Sequence, residues 1–119
     1  MREPIFESDA PYDDLSTDVL RQRLRGTKPE RARAVGALAR RAAKVSELEP
    51  EVLAALEAPE HRSMRYMGTI SIAHIGVACL WIAGGDDTRA QVRSLIERWP
   101  EPDRADLIRF LGTQDIAIA

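Results

Sequence analysis

Residues 67–85 read MGTISIAHIGVACLWIAGG, nineteen positions without Asp, Glu, Lys or Arg in a chain that is 30% charged. How this stretch is read decides the fold. It is long enough to cross a bilayer as a helix. Thr69, Ser71, His74 and its glycines lower its hydrophobicity, however, and the segments around it carry one-sided apolar patterns that need something to pack on. An all-round apolar helix beside amphipathic ones is the buried centre of a bundle. The expectation is therefore one long buried helix from about residue 60 to 83, and no membrane association. The rival is a strand pair made from TISI (69–72) and GVACLWI (76–82), which no turn signal separates.

Outward from this centre the chain reads as short amphipathic helices. On the C-terminal side, GGDD (84–87) is a hinge, with a glycine as C-cap and Asp86 or Asp87 as the next N-cap. The following helix carries Val92, Leu95, Ile96 and Trp99, and Pro100 stops it. Pro102 starts another, with Leu107, Ile108, Phe110 and Leu111, ending at Gly112 as a C-cap, before a short tail at 114–119. On the N-terminal side, Pro50 opens a helix with Val52, Leu53 and Leu56 that Pro59 closes. Before it, Pro29 suits a first helical turn. Val35, Leu38, Ala42 and Val45 form an apolar stripe there, with Arg33, Arg40 and Lys44 opposite. Ser16 or Thr17 caps a shorter helix bearing Val19, Leu20 and Leu24, which Gly26 ends. Residues 1–15 read as an acidic extended arm, pinned by Ile5, Phe6 and Tyr12.

Six helices result, in three antiparallel hairpins, so the fold class is all-α, with residues 16–113 as one domain. Each second helix has a proline at or before its start, Pro29, Pro59 or Pro102, and each contains a related pentapeptide: RAVGA (33–37), RYMGT (65–69) and RFLGT (109–113). Gly36 and Gly68 read as packing glycines inside helices, where close approach of a neighbouring backbone offsets their cost of about 1 kcal/mol relative to Ala. First helices recur at the spacing of helical repeats.

Residues 31–39, RARAVGALA, resemble the second helix of HEAT-like repeats through Arg31, Ala34, Val35, Ala37, Leu38 and Ala39. Residues 104–112 do so less closely, through Arg104, Ile108, Leu111 and Gly112, and the middle repeat fits only loosely, through Arg65, Gly68, Ile72 and Ala73. The resemblance implies a short HEAT-like α-solenoid of three hairpins, about the smallest stable number, and a non-enzymatic protein that binds another protein.

Charge is segregated within a net charge of −2. An acidic block (1–20) and an acidic remainder (45–119) flank a basic block at 21–44, whose Arg21, Arg25, Lys28, Arg33, Arg40 and Lys44 form the candidate anion or nucleic-acid surface. No aromatic residue interleaves these bases to serve as a stacking platform, and the chain as a whole is acidic. The acidic arm can fold back onto these helices and mask them. Glu97, Glu101 and Asp103 form a candidate acidic surface for a basic partner, as expected of a small adaptor or of an immunity protein that neutralises a nuclease toxin.

No enzymatic chemistry is legible. Cys79 and His74 are five apart, about 140° round a helix, and so do not face each other as a nucleophile and base would. Both read as buried structural residues. One Cys and two His, counting His61, give no zinc spacing. The acidic arm has no glycine for a calcium loop, and no phosphate-binding glycine loop or Gly-x-Ser-x-Gly elbow occurs. Neither metal nor cofactor is expected. A single Cys and an N-terminus without an apolar h-region point to the cytoplasm, and the Arg- and Ala-rich composition to a bacterial source. An apolar tail and unpaired end faces allow a homodimer.

Overall fold

The computed structural model describes residues 9–68 and 70–117, with only the main chain of Met67. Ile5 and Phe6, expected to pin the arm, lie outside these residues. The described chain is mostly helical: α1 (Ala10–Asp13), α2 (Thr17–Arg23), α3 (Lys28–Ala42), α4 (Glu49–Glu57), α5 (Pro59–Ser63), α6 (Ile72–Ala83), α7 (Asp86–Arg98) and α8 (Asp103–Thr113). A 3-10 turn at Ser46–Leu48 precedes α4, and a two-stranded antiparallel hairpin, β1 (Arg65–Met67) and β2 (Ile70–Ser71), precedes α6. Five of the six longer helices fall where the sequence places a helix and the sixth, α6, is the C-terminal half of the expected fourth, so the all-α reading stands.

Helix α6 is the centre of the molecule. All ten residues from Ile72 to Trp81 are buried, and α3 is its principal neighbour, with α4, α5, α7 and α8 also packed against it. The chain extends 33 × 30 × 29 Å, nearly equal in three directions. No helix of the described residues is long and apolar enough to cross a membrane.

The expected long helix from 60 to 83 is corrected. The chain makes one turn at α5, then the hairpin, then α6. Gly68 sits at the hairpin turn with φ +52°, in the left-handed region that favours glycine, so it is a turn residue and not a helix-packing one. Ile72 N–H closes the hairpin on the Met64 carbonyl at 3.1 Å. Helix α6 then starts at a buried reciprocal cap. The Ser71 hydroxyl accepts from His74 N–H, and the His74 ring accepts from Ser71 N–H. A serine followed at the third position by histidine is a variant of the capping box usually written with Glu or Gln, which is why the break is hard to see in an uncharged run.

The packing glycine of this helix is Gly76. A Cβ there would overlap the Leu56 side chain and come within 2.9 Å of Val35 Cγ2, so α3 and α4 both close on α6 at this point. Gly36 is buried in α3.

Several helix ends also differ from expectation. Helix α2 ends at Arg23, before Gly26, while α3 opens with a capping box between Thr27 and Glu30, its Pro29 in the first turn. Gly84 is the C-cap of α6, as expected of one glycine in the hinge. Gly85 and not an aspartate is the N-cap of α7, and Asp86 and Asp87 lie in its first turn, where negative charge suits the helix dipole. Gly112 is inside α8. The left-handed residue that ends this helix is Asp115 (φ 60°), whose N–H bonds Gly112 O while Ile116 N–H returns to Leu111 O at 2.9 Å. Ile116 is thereby buried against the core. Ile108 (48% exposed) and Val45 (39% exposed) face outward instead of joining the apolar stripes.

Candidate interaction site

The densest polar constellation joins the N-terminal turn to α3. The expected extended arm is, over residues 10–13, a helical turn lying on α3. Asp9 presents both carboxylate oxygens to Arg33, which donates from Nε at 2.8 Å and Nη2 at 2.7 Å. This fork geometry is the strong form of the Arg–carboxylate pair, and it holds the Asp9 carboxyl below its ordinary pKa and raises that of Arg33. One turn on, Asp13 Oδ1 accepts from Arg40 Nε at 3.0 Å and Nη2 at 2.9 Å, while its Oδ2 accepts from Asp9 N–H at 2.8 Å. Between the two acids Tyr12 is buried, with the Arg33 guanidinium 4.2 Å from its ring centre and that of Arg23 at 6.0 Å. Arg41 donates from Nη2 to the carbonyls of Asp13 and Leu15, at 2.8 and 2.6 Å, and from Nη1 to Thr17 Oγ1.

Arg40 was expected on the solvent face. It is buried, and its Nη1 lies 3.7 Å from Cys79 Sγ. Burial drives the Cys79 thiol up to about 12, against the smaller opposing effect of Arg40, so the sulfur is neutral and unreactive near neutral pH. Residues 33 and 40 are seven apart, two turns of α3, and thus share a face. Arg41 is not part of the candidate surface read from the sequence, because an adjacent residue points some 100° away on a helical wheel. Its target is main chain, which no side-chain pattern announces.

The rest of the candidate basic surface is dispersed. Arg21 is bound by Glu51 at 2.7 and 2.9 Å and by Asp18 at 2.8 Å, which raises its pKa and lowers that of Glu51. Arg21 and Arg25 line a cleft of about 280 Å³ together with Arg31, Glu51, Glu60 and His61. Its charge is largely balanced by the Arg21–Glu51 and Arg31–Glu60 pairs. His61 Nδ1 lies 2.8 Å from the Ala55 carbonyl, an acceptor only, so Nδ1 carries the proton and Nε2 faces the Arg31 donor at 3.4 Å. Lys28 begins α3 and Lys44 lies just past its end, both exposed and separated by roughly 24 Å at the helical rise. The six candidate bases of the 21–44 block therefore do not form one patch.

Glu97, Glu101 and Asp103 gather at the turn between α7 and α8. Glu97 is exposed, Glu101 accepts from Arg104 Nε at 2.7 Å, and Asp103 lies 3.6 Å from Arg62. His74 is buried in the core near this corner, its ring stacked with those of Phe110 (5.5 Å) and Trp99 (6.2 Å). No group of three or more His, Cys, Asp or Glu among the described residues is arranged to hold a metal ion.

The chain matches no protein-family model, no curated protein and no solved structure.

Proposed function

We propose that this protein is a non-enzymatic protein–protein interaction module of the bacterial cytoplasm, an adaptor or a toxin-neutralising immunity-type protein. The observation that supports this reading is the internal neutralisation of the basic block. Arg21, Arg31, Arg33 and Arg40 are each committed to a carboxylate of the same chain. A phosphate-binding surface needs its cations available for counterion exchange, whereas a protein interface tolerates paired charges at its rim. The acidic corner of Glu97, Glu101 and Asp103 is the surface suited to a basic partner. The HEAT-like reading of the helix pairs rests on the Arg31–Ala39 pattern and on α2 packing against α3. Self-association of the same chain is a further outcome to be read.

A tagged pull-down from bacterial lysate, with and without nuclease, tests this. One stoichiometric protein surviving nuclease, and lost when Glu97, Glu101 and Asp103 are reversed to Lys, is expected. Exposed Arg25, Lys28 and Lys44 favour nucleic-acid binding as the second reading. Enrichment that vanishes with nuclease, and oligonucleotide binding that weakens steeply with salt, would establish that reading instead.

A further inference from the structure

The six longer helices are seated by apolar side chains: α2 by Leu20, α3 by Val35 and Leu38, α7 by Val92 and Leu95, α8 by Leu107 and Leu111. Helix α1 is seated differently. Its Ala10 and Pro11 are exposed and Tyr12 is its one buried side chain; among the described residues the rest of its hold is Asp9, Asp13 and the carbonyls of Asp13 and Leu15, all gripped by arginines of α3. Ion pairs and carbonyl contacts of this kind are poor permanent struts, because well-packed apolar groups of similar volume stabilise as much or more. They are good reading heads, because they demand particular charges at particular spacings.

We propose that the face of α3 beneath α1 is a recognition groove for an acidic, aromatic segment of a partner protein, and that α1 is its resident occupant. This rests on the reading of the protein as an interaction module. The groove specifies its ligand in four contacts. Arg33 takes one carboxylate side-on, and Arg40 takes a second one helical turn later. The Arg33 guanidinium, stacked over the Tyr12 ring, selects an aromatic residue just before the second acid. Arg41 holds two carbonyls whatever the sequence. The ligand is thus an acid, two free positions, an aromatic and an acid on a single helical turn. Emptying the groove would strip a carboxylate from the buried Arg40, which is costly. Helix α1 therefore leaves by exchange for a segment of the same chemistry and not by simple opening, so the charge of Arg40 excludes neutral competitors.

The test offers a fluorescent peptide of residues 8–16 in trans to the full-length chain and follows its anisotropy. Wild-type protein, its groove filled in cis, should bind it weakly. The Asp9→Asn/Asp13→Asn variant keeps the groove and weakens its own occupant, and should bind roughly tenfold more tightly. Adding Arg33→Gln, or replacing Asp9 and Asp13 of the peptide by Asn, should abolish the gain. Circular dichroism checks that the double variant folds. If it does not, Asp9→Asn alone carries the same comparison, since its partner Arg33 is partly exposed. Equal binding of acidic and Asn peptides, or no saturable binding to a folded variant, overturns the proposal. So does displacement by a short oligonucleotide with no acidic-peptide binding, which would make the groove a phosphate surface. The assay needs no knowledge of the partner, so its failure alongside a nuclease-resistant protein partner overturns the groove and leaves the interaction reading intact.

Discussion

Ser71 and His74 cap each other at the buried start of α6: the Ser71 hydroxyl accepts from His74 N–H at 3.2 Å, and His74 Nδ1 accepts from Ser71 N–H at 3.3 Å. An imidazole nitrogen accepts only when unprotonated, so the cap needs a neutral histidine. Burial, with Arg65 adding to it and Asp106 and Asp103 opposing, lowers the pKa of His74 from 6.5 to about 4. Between these values the unfolded chain holds a proton that the folded chain does not, so stability falls as pH drops through this window. The full loss below it is on the order of 3 kcal/mol. Urea unfolding at pH 7 and pH 4.5 should show most of this difference, and His74→Gln, an acceptor at the same capping position that does not titrate, should flatten the profile.

The Asp9 carboxyl, held below its ordinary 3.8 by Arg33, adds a loss of the same sign at lower pH. Its contribution is complete above pH 3.8 and disappears as pH falls through the depressed value. Hydrogen exchange at residues 10–13 should therefore accelerate in acid beyond its intrinsic pH trend. Asp13→Ala should cost about 2 kcal/mol, because it leaves the buried Arg40 without that carboxylate. A cost near zero in denaturant titration would mean that Arg40 reaches solvent once released.

Three glycines predict three different outcomes on substitution by alanine. Gly76→Ala should destabilise by about 1–2 kcal/mol, since overpacking against Leu56 and Val35 outweighs the better helix propensity. Gly68→Ala should also destabilise, by about 1 kcal/mol, because of its positive φ. Gly112→Ala should stabilise by up to about 1 kcal/mol, for a Cβ there meets nothing within 4 Å. Thermal melts of the three variants check the order, and a destabilised Gly112→Ala would point to a neighbour packed on the outer face of α8.

Cys79 should resist alkylation at pH 8 in the native protein and react at once in denaturant, because the fully buried thiol, at about 12, holds almost no thiolate. Rapid native labelling, read by intact mass, would show that α3 and α6 separate readily.

The sequence by itself determined the class of the fold and the place of its centre. The charge-free run, the apolar stripes on either side and the prolines at 29, 50, 59 and 102 are local, periodic signals. They placed six helices and the burial of residues 72–81, because helix amphipathicity follows from 3.6-residue spacing whatever the tertiary context. Two things were decided only in three dimensions. One is the break before α6, where a glycine in the left-handed region and a serine–histidine cap interrupt a run whose composition alone reads as continuous. The other is the fate of the arginines. Arg40 lies on the same sequence pattern as solvent-facing bases, yet it is buried, because α1 returns to supply Asp13 and the core supplies Cys79 behind it. Charge in a sequence is counted residue by residue, whereas its availability depends on which distant carboxylate the fold sets within 3 Å.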